Sequence, residues 1–393
     1  MHGQVVERLV GDLDVFRNKY WRQRPYLHST DDPAFVTNLF TLQDADEILT
    51  SSTTRPPYVE LKRGGYRVRE GTYVRRGGTI GVPVPDAIDV DAVALEFARG
   101  ASILLQNVHD YHPANIRLCA DFAETFSAAT KSVGFITPPH SEGHGPHYDA
   151  FEGFIVQTHG TKTWYLYERV KPLPTRPQGL RAEDLGEQIM SVTLRPGDCL
   201  YVPWAFPHHA TAGDEISCHL TVTVIQPSWS QVLTELMKSA IPREAWDRVP
   251  RLAQGQKEAL AAELGDLIDS LAIRSLAVDT RRLARDTVPR ITGGRPVHAG
   301  FVAQAVKRAS LAMDSRITRD TKVLYTTADS DNGRLLLRIG HRTLEMPADS
   351  KLLLSRLDEA HEVPLSVIAG GLDERLVLAV VSEMAASGAI KIV

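Results

Sequence analysis

Two imidazoles and one carboxylate stand out in this chain by type and spacing: His147, Asp149 and His208. The first two close the run Thr137-Pro-Pro-His-Ser-Glu-Gly-His-Gly-Pro-His147-Tyr-Asp149. The third arrives 59 residues after Asp149, behind Gly197-Asp-Cys-Leu-Tyr-Val-Pro-Trp-Ala-Phe-Pro. On an extended strand, residues two apart point to one face, so His147 and Asp149 can share a ligand. His208 would complete two nitrogens and one oxygen on one side of an ion, with the opposite side open. That facial arrangement suits ferrous iron, whose open positions take a cosubstrate and oxygen. Spacing alone leaves another divalent ion open. His-x-Asp is also a weak signal by itself, because a hydrogen-bonded surface pair is spelled the same way. The Pro-Gly-Asp…Pro…His sequence downstream is what strengthens it.

Other histidines compete, since seven of the fourteen lie between His140 and His219. His209 is the alternative third ligand, although alternation in an extended segment turns it away from the face of His208. His140 and His144 sit in a Gly/Pro loop and read as loop or substrate contacts. His219 either faces the pocket or is a satisfied core histidine.

Short β-like runs must position these groups. Phe151–Thr158, Thr163–Tyr167, Asp198–Val202 and Cys218–Ile225 are rich in aromatic and β-branched residues and bounded by Gly, Pro or Asp. His159-Gly160 reads as a tight hairpin connection, and Pro196-Gly197-Asp198 as a turn. Helical pieces are expected near the start and at Asp91–Ala98 and Arg117–Thr130. Antiparallel strands at this density predict a closed barrel or sandwich and not a doubly wound sheet.

From Ser230 to about Arg290 the pattern turns helical, with Leu260, Leu264, Leu267 and Leu271 forming one apolar stripe. Such a stripe covers the barrel or meets a second subunit. Ile291–His298 has the composition of a linker. Beyond it a helix near Phe301–Met313, strands near Lys322–Thr327 and Arg334–Ile339, and further helices fit a winged-helix module.

Composition narrows the function classes. At 393 residues the chain exceeds one ordinary domain, and its 43% hydrophobic and 23% charged residues are those of a globular protein. A net charge of −4 provides no basic field for nucleic acid or anionic lipid. Residues 301–393 balance twelve Lys/Arg against twelve Asp/Glu, so the winged helix is expected to serve protein interaction or structure, not phosphate contact. Cys119, Cys199 and Cys218 form no CxxC pair, which argues against a disulfide framework or a cysteine zinc site. No apolar leader or membrane-length apolar run occurs, and the expected place is the cytoplasm.

The run Ile136-Thr-Pro-Pro-His-Ser-Glu-Gly-His-Gly-Pro-His-Tyr-Asp, then Gly-Thr-Lys-Thr-Trp164, then Gly197-Asp-Cys-Leu-Tyr-Val-Pro, closely resembles the JmjC-type ribosomal oxygenases. Tyr20-Trp21-Arg-Gln-Arg-Pro25, Gly100-Ala-Ser-Ile-Leu-Leu-Gln-Asn107 and Cys218-His-Leu-Thr-Val-Thr-Val agree with that family. The resemblance implies a mainly β plus α chain. A double-stranded β-helix (cupin/JmjC) barrel with an N-terminal extension would occupy residues 1–228, a helical dimerisation region 229–292, and a winged-helix domain 293–393. It implies Fe(II) on His147, Asp149 and His208, with the far carboxylate of 2-oxoglutarate on Lys162 assisted by Thr137. The implied reaction is O2-dependent hydroxylation of an arginine or histidine side chain of a ribosomal protein by a homodimer. Hydroxylation of another peptide, such as a natural-product precursor, or of a small molecule is the alternative; lysine demethylation ranks below both. Tyr165 and the stretch from Tyr167 to Met190 depart from the family pattern, at positions where substrate choice could be set.

Overall fold

The computed structural model describes residues 4–50, 54–79, 81–126, 128–226, 228–240, 265, 269, 301–319, 325–329, 333–339 and 342–393. Contacts divide the chain into two compact units: residues 1–126 with 130–225, and residues 127–129 with 226–393.

Among the described residues, the first unit carries fifteen strands in succession. They are β1 (Tyr26–Ser29), β2 (Val59–Arg63), β3 (Tyr66–Arg67), β4 (Val74–Thr79), β5 (Val82–Ile88), β6 (Ser102–Leu105), β7 (Ala129–Thr137), β8 (His147–Tyr148), β9 (Glu152–His159), β10 (Lys162–Tyr167), β11 (Gln178–Gly179), β12 (Gln188–Leu194), β13 (Asp198–Val202), β14 (His208–Ala212) and β15 (Ser217–Ile225). One sheet runs β1-β13-β9-β15-β7-β6-β2-β3, a second runs β11-β8-β14-β10-β12, and β4 pairs with β5 apart from both. Ile155, Trp164, Leu166, Leu194, Leu200, Val202, Phe206 and Ala210 pack together as a buried cluster drawn from strands of both main sheets and the β13–β14 loop.

The pleat decides which residues face this interior. Along β10 Lys162, Trp164 and Leu166 are buried while Thr163, Tyr165 and Tyr167 are partly exposed; along β14 His208, Ala210 and Ala212 alternate with His209 and Thr211 in the same way. Antiparallel register sets Leu166 against His208 and Lys162 against Ala212. Strand β9 is buried at every position but its last, as expected of a central strand covered on both faces. Phe154 on β9 joins an aromatic cluster with Phe16, Trp21, Phe122 and Tyr201, with centroids 4.9 Å apart for Phe122–Phe154 and Phe154–Tyr201. Such pairs contribute about 0.5–1.5 kcal/mol each beyond area burial. Together they dock the N-terminal helices and the Pro113–Phe126 helix on the sheet.

Two sequence expectations change here. His159-Gly160 makes no hairpin, because β9 pairs with β13 and β15 while β10 pairs with β12 and β14. The connection crosses between sheets instead, and Gly160 (φ +61°) is required because a Cβ there would lie 2.1 Å from the Ile216 carbonyl oxygen. The helix expected at Arg117–Thr130 is Pro113–Phe126, since Ala129 and Thr130 already belong to β7. Proline is well placed at a first helical turn, where its missing N–H costs nothing.

In the second unit the helices Trp229–Ala240, Phe301–Ala309, Ser350–Asp358, Leu365–Ala369 and Glu374–Ala386 accompany two small sheets. Tyr325–Asp329, Leu335–Ile339 and Arg342–Met346 form an antiparallel three-stranded ribbon, and Arg316–Arg319 lies between Val363–Pro364 and Ile390–Ile392. Leu353, Leu357, Leu365, Val377, Val381 and Met384 are fully buried in its core. The leucine stripe from Leu260 to Leu271 and the linker at Ile291–His298 lie outside the described residues. Among the described residues, no helix is long and apolar enough to cross a membrane.

Candidate metal centre and active-site pocket

His147 and His208 lie opposite each other in the β8–β14 register, with ring centroids 4.3 Å apart. Asp149, just past β8, places Oδ2 3.9 Å from His147 Nε2 and 3.8 Å from His208 Nε2. All three ligand atoms fall within 4.8 Å of one another, so a single ion could touch them all. Each histidine is oriented by the same local device. Both follow a proline, in Gly145-Pro146-His147 and Phe206-Pro207-His208. Each also donates from Nδ1 to the carbonyl two residues back: His147 to Gly145 at 2.8 Å, His208 to Phe206 at 2.9 Å. With Nδ1 protonated, the Nε2 lone pair is free for a metal. Burial, reinforced by His147, pulls the His208 pKa down to about 4, so its imidazole is neutral, as ligation requires. Nitrogen, nitrogen and oxygen donors with no thiolate fit ferrous iron.

His209 turns away from this group. Its Nε2 lies 2.9 Å from the Tyr167 hydroxyl, and its ring stacks on Tyr165 at 4.9 Å. His140 is exposed, with Asp214 3.8 Å away. His144 lines the pocket, stacked on His147 at 4.1 Å and 2.6 Å from the Lys62 ammonium. Burial, then the neighbouring His147 and Lys62, lowers the His144 pKa to about 3. It therefore accepts a hydrogen bond from Lys62. His219 is buried, stacked on Phe135 at 4.7 Å, and its Nδ1 has no hydrogen-bond partner among the described residues.

The pocket has a volume of about 720 Å³ and runs from the triad to Lys162. Lys162 is 3% exposed, and burial drops its pKa to about 7. Its Nζ donates to Thr137 Oγ1 at 2.9 Å, and Ser102 donates to the same oxygen at 3.1 Å. Among the described residues no carboxylate forms an ion pair with it. A buried ammonium held only by a hydroxyl is costly unless an anion arrives. The indole Nε1 of Trp164 is also buried without a hydrogen-bond partner among the described residues, and both Trp164 and His219 line the pocket. Gly143 keeps this corner open: a Cβ there would sit 3.3 Å from both Lys162 Nζ and Thr137 Oγ1. The corner fits the carboxylate of a small dianion.

Several lining groups escaped the sequence reading. Lys62, Glu60 and Tyr73 reach the pocket from the N-terminal segments, and β11 brings Gln178 and Gly179 over it. The stretch after Tyr167 thus supplies part of the pocket wall, fixed where Gln178 accepts a 2.8 Å bond from the Tyr148 hydroxyl. Nothing in the types or spacing of Lys62 or Gln178 marks them, because long-range pairing alone brings them here. The Pro-His dipeptide before each metal-facing Nε2 was a readable signal.

The JmjC domain family matches residues 105–232, which hold the triad, Thr137 and Lys162. This stretch is similar to JmjC domains. Over 243 residues the chain is 31% identical to the bifunctional lysine-specific demethylase and histidyl-hydroxylase NO66 of Culex quinquefasciatus, covering 59% of this chain and 36% of that protein. It is 28% identical over 234 residues to human ribosomal oxygenase 1, covering 58% and 35%. The alignments span little more than a third of these relatives. In structure the chain resembles the ribosomal oxygenase YcfD of Escherichia coli, solved with cobalt and 2-oxoglutarate, at 16% identity and a TM-score of 0.58 over 98% of both chains. That likeness extends the shared fold beyond the JmjC domain.

Proposed function

We propose that this protein is an Fe(II)- and 2-oxoglutarate-dependent oxygenase that hydroxylates a protein side chain, an arginine or a histidine of a ribosomal protein. The observation that carries the reading is one pocket with an open His147/Asp149/His208 face at one end and the carboxylate-free Lys162 at the other. When bound, iron and 2-oxoglutarate supply the oxidising chemistry by coupling O2 reduction to decarboxylation.

The chain's own residues do the rest. His147, Asp149 and His208 would hold the metal through two imidazole nitrogens and a carboxylate oxygen. Lys162, steadied by Thr137, anchors the far carboxylate, and the apolar walls of Trp164, Phe135 and Ile155 exclude water. The β11 stretch and the Lys62–His144 pair flank the metal end of the pocket and set what can approach it. Hydroxylation of another peptide or of a small molecule would use the same groups. The names of the relatives add demethylation as a second chemistry, which removes a methyl group instead of adding oxygen. We further propose that residues 229–292 pair two subunits, that residues 293–393 form a winged-helix domain, and that the protein acts in the cytoplasm. Light scattering of the full chain checks the pairing.

The decisive experiment compares ribosomal proteins from cells with and without the gene by intact mass. Loss of one oxygen from a single protein supports the reading, whereas gain of a methyl group in the deletion favours demethylation. In vitro, Asp149→Ala should lower substrate-dependent succinate formation at least about a hundredfold, by removing one of three metal ligands. Full activity in that variant would sink the assignment.

A further inference from the structure

The Glu152 carboxylate is 2% exposed and does not line the pocket, yet it is tied to the metal-holding backbone. It accepts a 2.5 Å hydrogen bond from the Tyr201 hydroxyl and a 3.3 Å bond from the Trp204 backbone N–H. Arg22 Nε lies 3.5 Å from its other oxygen, and the Arg22 backbone N–H donates to the Tyr201 hydroxyl at 2.8 Å. Trp204 is gripped a second time through its carbonyl, by Arg169 Nε at 3.0 Å, while Arg169 Nη1 donates to the Arg22 carbonyl at 3.1 Å. The next two residues touch the metal ligands. Ala205 donates its N–H to the Asp149 carbonyl at 3.0 Å, and the Phe206 carbonyl accepts from His208 Nδ1.

Ala205 needs this support. It sits at φ +70° and is fully buried, a conformation an L-residue rarely adopts unless its surroundings impose it. A buried carboxylate is itself expensive, and a stabilising role alone would be filled as well by apolar packing. Glu152 answers a directional requirement that apolar groups cannot meet: it holds the Trp204 N–H so that the next two peptides face Asp149 and His208.

We propose that Glu152 is a positioning residue for the metal. Acting through Tyr201, Arg22 and the Trp204–Phe206 turn, it sets the relative placement of Asp149 and His208. The N-terminal segment around Arg22, distant in sequence, is thereby part of the metal-site architecture. This inference rests on the metal-site reading above.

The test is titration of the purified full-length protein with Co(II), followed by the visible absorption of the bound ion, alongside thermal melting. Outer partners of metal ligands typically change affinity about 10–100-fold when removed. Glu152→Ala is expected to weaken Co(II) binding about tenfold or more and to alter the band intensities that report ligand geometry. Glu152→Gln keeps an acceptor for the Trp204 N–H and should recover most of that loss. Arg169→Met, which frees the Trp204 carbonyl from a partly exposed position, should weaken binding in the same direction and serves if Glu152→Ala does not fold. A merely structural role would lower the melting temperature but leave affinity and spectrum of the folded protein alone. Folded variants that bind Co(II) within about twofold of wild type, with an unchanged spectrum, overturn the proposal. A wild-type protein that binds no Co(II), or a His147→Ala variant that still binds it fully, overturns the metal reading itself.

Discussion

At one end of the pocket the imidazoles of His147 and His208 are each tied through Nδ1 to a carbonyl two residues back. At the other end the ammonium of Lys162 donates to the Thr137 hydroxyl and lies 6.0 Å from the Trp164 ring centroid, with no carboxylate partner among the described residues, beside a Trp164 Nε1 and a His219 Nδ1 that have no hydrogen-bond partner among them. The two ends therefore differ in what they lack. The metal end is built to hold three donor atoms in place, with the second nitrogen of each imidazole already bonded within the protein. The lysine end is built short of a partner, and the energy of a buried charge is available to the anion that supplies it. Pre-organisation in one place and deficit in the other is how a single cavity can select both a cation and a dianion.

The contrast breaks first at Lys162. Lys162→Met removes the unpaired charge and keeps the length of the side chain. We expect 2-oxoglutarate affinity to fall at least about a hundredfold, the scale of a lost charge-assisted bond at about 1.4 kcal/mol per factor of ten. The apo protein should become more stable at the same time, by roughly 2–4 °C in melting temperature for each kcal/mol gained. Isothermal titration and melting curves check both. Loss of stability together with loss of affinity would mean that Lys162 is a structural element of the barrel and not a waiting partner.

A pH series sharpens the same point with the native residue. Burial lowers the Lys162 pKa to about 7, below its usual range. Below that value both folded and unfolded chains carry the proton, and the full cost of burying the charge is present. As pH rises from about 7 toward about 10.4, the unfolded chain keeps a proton that the folded chain has lost, so this group's contribution to stability becomes more favourable. Binding of the dianion needs the ammonium, so 2-oxoglutarate affinity should fall by up to about tenfold per pH unit over that range. Lys162→Met should flatten both slopes.

The two ends were not equally legible in the sequence. His147 and Asp149 are neighbours on one short segment, so their types and their separation of two carry the information. The alternation of β10 and β14 similarly follows from local pattern. Lys162 is an ordinary turn lysine by composition, and only the Gly-Thr-Lys-Thr-Trp resemblance drew attention to it. Lys62, Gln178 and Glu152 could not be read, because their roles arise from sheet order and from loops that pair across long separations. The failed hairpin at His159-Gly160 has the same origin: a glycine turn announces a change of direction but not which sheet receives the next strand.

The smallest expected effect tests the finest part of the comparison, between His208 and the residue beside it. In the sequence, strand alternation favours His208 but does not exclude His209. In the structure Phe206-Pro207-His208 repeats the device of Gly145-Pro146-His147, whereas the histidine one place on stacks against Tyr165 and meets the Tyr167 hydroxyl. His209→Ala should therefore cost only what a partly exposed hydrogen bond and ring contact contribute, about 0.5–1.5 kcal/mol of stability. Co(II) affinity should stay within about twofold of wild type, because no metal ligand or its carbonyl partner changes. His208→Ala, one residue away and of the same chemical type, should lose most metal binding. If the two variants lost it equally, the strand face would not be what selects the ligand, and the division of labour between β14's inner and outer residues would fall with it.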